Sequence, residues 1–415
     1  MESDIQRSHC MYQSRSDTRS HLRSMRPGRP WRAGLRALGV VGLSWFGIVA
    51  SGTSGVAAEL KYAFDTRAVI ARQGFGGLAG GIACPELVPP LTDMSGMFTF
   101  YKPDPTRSVV DRAAMTRYVA RVRPTDALGK VLFDLGENYV RSAFARREAG
   151  LCIVSQLRSW AEADALLGNL DQNDPIGRRQ AILVGIWTSV GAANAFAIAS
   201  SGGDLPHRDV AAVEAWFTRL SDAIVDDFTP PKQRRPNHLM WLDGTFNQSY
   251  WAAAAVGAMA VLTQDREKFD WAMRELHRAL QKVNGDGSLP HEIGRGGRTL
   301  HYHSFALEPL ALLVAIADAN NVQLTPAEEA SLQRAARFTA ANFADPRKLA
   351  AQVGYPQSRT DDMAAWMDIL DGHFQRTAPE LARELDSIAA PHRPFARDFI
   401  GIDVTTMFVT RRSTP

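Results

Sequence analysis

Apolar residues recur at helical spacing over most of this chain. Val210, Val213, Trp216, Phe217, Leu220 and Ile224 share one helical face, as do Phe269, Ala272, Met273, Leu276, Leu280 and Val283. Thr325-Pro326-Ala327-Glu328 is a helix start, with Pro at the first helical position and Glu where a capping box needs it. Two stretches, Tyr250 to Leu262 and Ala306 to Ala317, are apolar nearly all round, which predicts helices buried on every side. Residues 59–108 are rich in Gly and Pro and poor in periodicity. They predict a long irregular arm, with helices beginning near Asp111. Strand signals are sparse before the last twenty residues. Buried and amphipathic helices joined by Gly/Pro loops predict an all-α fold in two layers. A concentric (α/α) toroid meets this pattern, with inner helices apolar all round and outer ones amphipathic. A bundle is the alternative, and no sequence repeat decides between them.

The chain has 415 residues, 45% of them hydrophobic, enough for a sizeable core. Its formal charge of +3 comes from the first 58 residues. Eight of the 47 basic and three of the 44 acidic side chains lie there, so the remainder carries 39 and 41. A near-neutral body excludes a typical nucleic-acid binder. Any acidic ligand must be met by a local cluster of groups. Within the leader, Arg29, Arg32 and Arg36 precede the apolar run Ala37 to Ala50, and Gly55-Val56-Ala57-Ala58 follows. That is the layout of a cleavable export signal. A membrane anchor is the alternative, but the run falls short of the ~20 apolar residues of a span. The expectation is a leader over 1–58, cleaved after Ala58, and one domain over 59–415 that works in the periplasm or outside the cell, with no stable membrane association. The 24 residues before Met25 exceed what such a signal needs, which makes Met25 an alternative start. Cys10 lies in the leader, leaving Cys84 and Cys152 as a disulfide or as two buried thiols. No CxxC or HExxH spacing is present, and His301 and His303, two apart, diverge on a helix. No metal or other cofactor is expected.

Two polar segments stand out. Phe246-Asn247-Gln248-Ser249-Tyr250-Trp251 sets two amides, a hydroxyl and two aromatics at the entry to a buried helix, where backbone N–H groups favour anions. Its plain alternative is capping by Asn247 or Ser249. Further on, Leu289-Pro290-His291-Glu292-Ile293-Gly294-Arg295-Gly296-Gly297-Arg298-Thr299-Leu300-His301-Tyr302-His303 sets two Arg in a Gly-rich turn before two His flanking a Tyr, ahead of an apolar helix starting near Ala306. A basic surface loop with Tyr302 packed in the core is the alternative. Uronate polymers call for this combination. Carbon 5 gives up its proton only when the neighbouring carboxylate is neutralised by amides and a cation. A base then removes the proton and an acid protonates the leaving oxygen; a Tyr beside an Arg can serve.

These residues resemble a known family. Asn247-x-Ser249-Tyr250-Trp251-Ala252-Ala253, Phe269-Asp270-Trp271-Ala272, Leu289-Pro290-x-Glu292-x-x-Arg295 and Tyr302-His303-x-Phe305-Ala306-Leu307-x-Pro309-Leu310 are similar in order and spacing to the alginate lyases that cleave poly-β-D-mannuronate, polysaccharide lyase family five. Leu87-Val88-Pro89-Pro90 after Cys84, Cys152 followed by Trp160, and residues 395–408 extend the similarity to most of the mature chain. The resemblance implies an incomplete (α/α) toroid, β-elimination on an acidic polysaccharide and a Cys84–Cys152 disulfide; a monomer without a cofactor is expected. By position, it places catalysis on Asn247, Gln248, Arg295 and Tyr302. Lys102, where the family has a lid Lys, and Arg107, Tyr250, Arg298, His301 and His303 are the expected substrate contacts. Gln248 departs from the family's usual His; it cannot carry a proton but can donate an amide hydrogen. Residues 230–244 also look longer than the family's segment. The polymer is then alginate or a glucuronate-containing exopolysaccharide. The alternatives are a binding protein that lost its chemistry at Gln248, and a glycoside hydrolase, for which the matched segments offer only Glu292 and Glu308 as carboxylates.

Overall fold

A computed structural model describes residues 58–73, 81–229, 246–397 and 400–409. The expected leader, except for Ala58, and the long segment 230–244 lie outside the described residues. The irregular arm carries one helix that the pattern does not predict, α1 (Thr66–Gln73). There follow α2 (Arg112–Arg141), α3 (Arg146–Glu162), α4 (Pro175–Ser200), α5 (His207–Phe228), α6 (Asn247–Thr263), α7 (Arg266–Leu280), α8 (Thr299–Ala319) and α9 (Pro326–Ala344). Shorter helices close the chain: α10 (Pro346–Val353), α11 (Ala365–Ile369), α12 (Asp371–Thr377) and α13 (Pro379–Ala389). A two-stranded antiparallel ribbon, β1 (Ala396–Arg397) with β2 (Ile402–Asp403), leads into α14 (Val404–Phe408).

Local chemistry fixes the helix starts. Asp111, Asp174 and Asp265 each accept a backbone N–H in the first turn of α2, α4 and α7. Thr325 and Glu328 form the expected capping box, with Pro326 at the first position of α9. The two layers follow from burial. Helices α4, α6 and α8 are buried nearly all round, whereas α5 and α7 bury one face each. Helix α6 packs against α4, α5, α7 and α8. Both α4 and the segment Gly296–Ala319 are long and apolar enough to cross a membrane, but 89% of each apolar window is buried in the fold, which makes them core helices.

Two devices join the arm and the inner helices. Cys84 and Cys152 form a disulfide that ties the arm to α3, with the Cα atoms 5.3 Å apart. Pro309 sits inside α8 and has no N–H to give the Phe305 carbonyl one turn back. The Trp251 indole of α6 donates to that carbonyl at 3.1 Å. The proline thus opens a backbone acceptor that fastens α8 to α6, and these two helices begin at the same end of the fold.

Helix α8 starts at Thr299, not near Ala306, so His301, Tyr302 and His303 belong to its first turns. Nor does Asn247 or Ser249 cap α6. The residue before the helix is Phe246, which makes no side-chain cap, and Asn247 is the first helical residue.

Candidate active site

The first turns of α6 and α8, the loop 281–298 and a hairpin from the arm converge at one end of the inner helices. Asn247 donates from its backbone N (3.1 Å) and its Nδ2 (2.8 Å) to Oε1 of Glu292, which is completely buried. A carboxylate from the loop therefore does the work of a helix cap, where the helix dipole favours a negative charge. Gln248 and Ser249 follow in the same turn, both buried.

Arg295 is 4% exposed, and its guanidinium lies 3.5 Å from the centre of the Tyr302 ring. Arg298 lies 5.6 Å from the same ring. The Tyr302 hydroxyl donates to the Tyr101 hydroxyl at 2.9 Å, and Arg298 Nη1 donates to that same Tyr101 oxygen at 2.8 Å. Arg298 Nη2 lies 3.2 Å from His301 Nε2, and the His301 ring meets Tyr302 edge-on. Two guanidiniums at a phenol stabilise negative charge on its oxygen. The result is an amide, two cations and a chain of two phenols at one end of the inner helices.

The hairpin over this wall is built from its own turn. Tyr101 bridges Val110, and Lys102 N donates to Val109 O at 2.8 Å. At the tip, the Asp104 carboxylate collects the backbone N–H groups of Thr106 (2.9 Å), Arg107 (3.1 Å) and Val109 (3.3 Å), together with the Thr106 hydroxyl. These bonds hold its carboxyl below the ordinary value against the opposing effect of burial. The tip is sealed onto the Arg loop: Ser108 Oγ donates to Arg295 O at 2.9 Å, and Arg295 Nη2 donates to Arg107 O at 3.1 Å. Gly296 has φ +56°, and a Cβ there would stand 2.9 Å from the Thr106 methyl. The turn has room for the hairpin because residue 296 has no side chain. Burial and the neighbouring Arg295 lower the Arg107 pKa, while Glu292 opposes the shift.

Asn247, Arg295, Arg298, His301 and Tyr302 are thus brought together, with Gln248 next to Asn247 and Arg107 over Arg295. Three expected contacts lie elsewhere in the structure. His303 is completely buried; its Nδ1 pairs with Thr299 O at 2.8 Å and its Nε2 with Leu289 N at 3.0 Å. Burial pulls its pKa down to about 4, so it is a neutral structural histidine that pins the loop to α8. Lys102 is exposed, and its charge acts on Asp111. Successive side chains of an extended segment face opposite ways, so it is Tyr101 that points into the site. Tyr250 is buried one turn into α6, where its ring belongs to the core. Sequence reasoning missed Tyr101 and the capping role of Glu292.

A helical toroid with amides, guanidiniums and phenols gathered at one end of its inner helices is the framework of a polysaccharide lyase. A sequence model described as alginate lyase matches residues 101–349. Curated relatives include an alginate lyase of Pseudomonas syringae pv. syringae (strain B728a), 30% identical over 79% of this chain and 83% of its own, and an alginate lyase of Pseudomonas entomophila (strain L48), 29% identical over 74% and 79%. Among solved structures, a variant of alginate lyase A1-III complexed with a tetrasaccharide superposes with a TM-score of 0.68 at 20% identity, covering 86% of this chain and 98% of that one. The same enzyme from Sphingomonas species A1 gives 0.65 at 19%, over 84% and 95%. The chain belongs to the alginate lyase family.

Proposed function

We propose that the protein cleaves alginate, or another uronate polymer, by β-elimination in this cleft. Arg295, Asn247 and Gln248 meet the carboxylate beside carbon 5. Tyr302, as the phenolate that the neighbouring guanidiniums favour, takes the carbon-5 proton and returns it to the glycosidic oxygen as the carbon-4–oxygen bond breaks, which regenerates the phenolate. The electron pair of the broken C–H bond forms the carbon-4–carbon-5 double bond, so no water is consumed. One phenol serves both steps when proton and leaving group lie on the same face of the sugar. The observation that carries this reading is the Arg295 guanidinium on the Tyr302 ring, with the Tyr302 hydroxyl joined to Tyr101. Gln248 cannot titrate, which leaves the phenol as the main proton carrier. The binding-protein alternative is disfavoured because Arg295 and Tyr302 are both kept and joined. Incubating the mature protein with a panel of uronate polymers, and following the far-ultraviolet absorbance of the unsaturated product, tests the proposal. No product from any polymer overturns it.

The same proposal has the enzyme act outside the cytoplasm as a monomer, with residues 1–58 removed. The charged and apolar leader pattern supports this, as does the disulfide, which belongs to an oxidising compartment. N-terminal sequencing of exported material should begin after Ala58. A start upstream of Trp45 refutes cleavage there.

A further inference from the structure

Glu292 has no part in the steps above, yet it is completely buried against the first turn of α6. Its Oε1 takes both donors of Asn247, the backbone N at 3.1 Å and Nδ2 at 2.8 Å. Its Oε2 and the Asn247 Oδ1 are also buried, and among the described residues no hydrogen bond reaches either. An amide can flip, exchanging a donor for an acceptor at nearly the same position. Against a carboxylate only one orientation survives, because the flipped amide would set Oδ1 against Oε1. Glu292 therefore decides which way the Asn247 amide points. One Nδ2 hydrogen is held by Glu292. The backbone bond anchors the same residue at the start of α6, so both ends of Asn247 are fixed by one carboxylate.

We propose that Glu292 is a positioning residue for the elimination: it locks the Asn247 amide with its remaining N–H toward the substrate carboxylate. The inference rests on the lyase reading of the cleft.

The test is a double-mutant cycle on the mature enzyme with polymannuronate, reading kcat and KM separately. Glu292→Ala is expected to lower kcat about 10²-fold, as for loss of one oriented transition-state donor, with KM within about threefold of the parent. Glu292→Gln keeps an acceptor oxygen for Nδ2 and should recover at least about tenfold of that loss. Asn247→Ala and the double variant Asn247→Ala/Glu292→Ala should agree within about threefold, because without the amide nothing remains to be oriented. Effects that multiply in the double variant overturn the proposal, and so does a Glu292→Ala enzyme within about threefold of the parent rate. If Glu292→Ala does not fold, Glu292→Asp replaces it. That variant keeps the charge and withdraws the oxygen by one methylene, and it should lose rate in the parent but not in the Asn247→Ala background; loss in both overturns the proposal. A parent inactive on every uronate polymer refutes the lyase reading itself, whereas an active parent with multiplying effects refutes only the role of Glu292.

Discussion

Replacing Tyr302 by Phe removes one oxygen atom and little else. The ring stays packed beneath Arg295, 3.5 Å from the guanidinium, and remains edge-on to His301 and Phe305. Among the described residues the hydrogen bond lost is the 2.9 Å contact to Tyr101, whose hydroxyl keeps its 2.8 Å bond from Arg298. Folding stability should therefore fall by only about 1 kcal/mol, the net worth of one such bond. Catalysis should suffer far more. A positioned proton carrier contributes ~10²–10⁴-fold, and Tyr302 is assigned both the abstraction and the return of the proton, so the upper end of that range is expected. Polymer affinity should change little, because the carboxylate is met by Arg295 and the amides. The assay is the initial rate of unsaturated-product absorbance, set beside equilibrium binding of the polymer to the inactive variant. Tyr101→Phe is the control: it keeps the proton carrier, removes the partner of its hydroxyl, and should cost only about tenfold. A Tyr302→Phe enzyme within a few-fold of the parent would end the mechanism, even with the family membership intact.

Further outcomes follow from the same geometry. Arg295→Ala should lose at least ~10²-fold in kcat/KM and Arg295→Lys should recover only part of it, because the planar fork is lost; near-full activity of the alanine variant removes Arg295 from the site. The Cys84–Cys152 disulfide spans 68 residues and should stabilise the fold by about 4 kcal/mol in the loop-entropy treatment, read as a shift of the urea midpoint on reduction. Two alkylatable thiols in the unfolded, unreduced protein refute it. At the far end of α8, His373 lies 3.0 Å from Asp318 and 2.9 Å from Glu329. Burial opposes its protonation, but these two carboxylates raise its pKa from 6.5 to about 9; against its own burial, the bonds from His373 and Gln333 bring Glu329 from 4.5 down to about 2. The raised His contributes its full stability below pH 6.5 and loses it as pH rises through 9; the lowered Glu contributes above pH 4.5 and loses it as pH falls through 2. Chemical denaturation should thus show roughly 3 kcal/mol fading across the alkaline limb, and His373→Gln should flatten that limb; an unchanged slope refutes the network.

What the sequence discloses is whatever depends on one face of one element. The all-round apolar runs in α6 and α8 mark inner helices before any coordinates exist, and the capping box at Thr325 marks the start of α9 to the residue. Asn247, Arg295 and Tyr302 are legible because each lies in a polar segment abutting such a run. The errors arise where a polar first turn resembles a loop. Thr299 to His303 carry cleft-facing or internally bonded side chains, so their polarity hides the start of α8. His303 bonds the carbonyl four residues back, a pairing within a single helix that the spacing of Thr299 and His303 could have shown.

Tyr101 and Lys102 illustrate the remaining limit. In an extended hairpin a slip of one residue exchanges the inward for the outward side chain, and nothing local to residues 101–110 says which face meets the cleft. The contact that decides it, Tyr302 to Tyr101, joins positions 201 residues apart. It depends on a left-handed Gly296 that leaves space for Thr106, on Asp104 folding the tip, and on Ser108 reaching the Arg295 carbonyl. Each of these features is ordinary alone: a glycine, a turn-forming acid, a serine. Their meaning comes from being opposite one another. The hairpin therefore stands to the candidate site as Glu292 stands to Asn247, with chemically plain residues fixing the orientation of those to which the proposed chemistry is assigned.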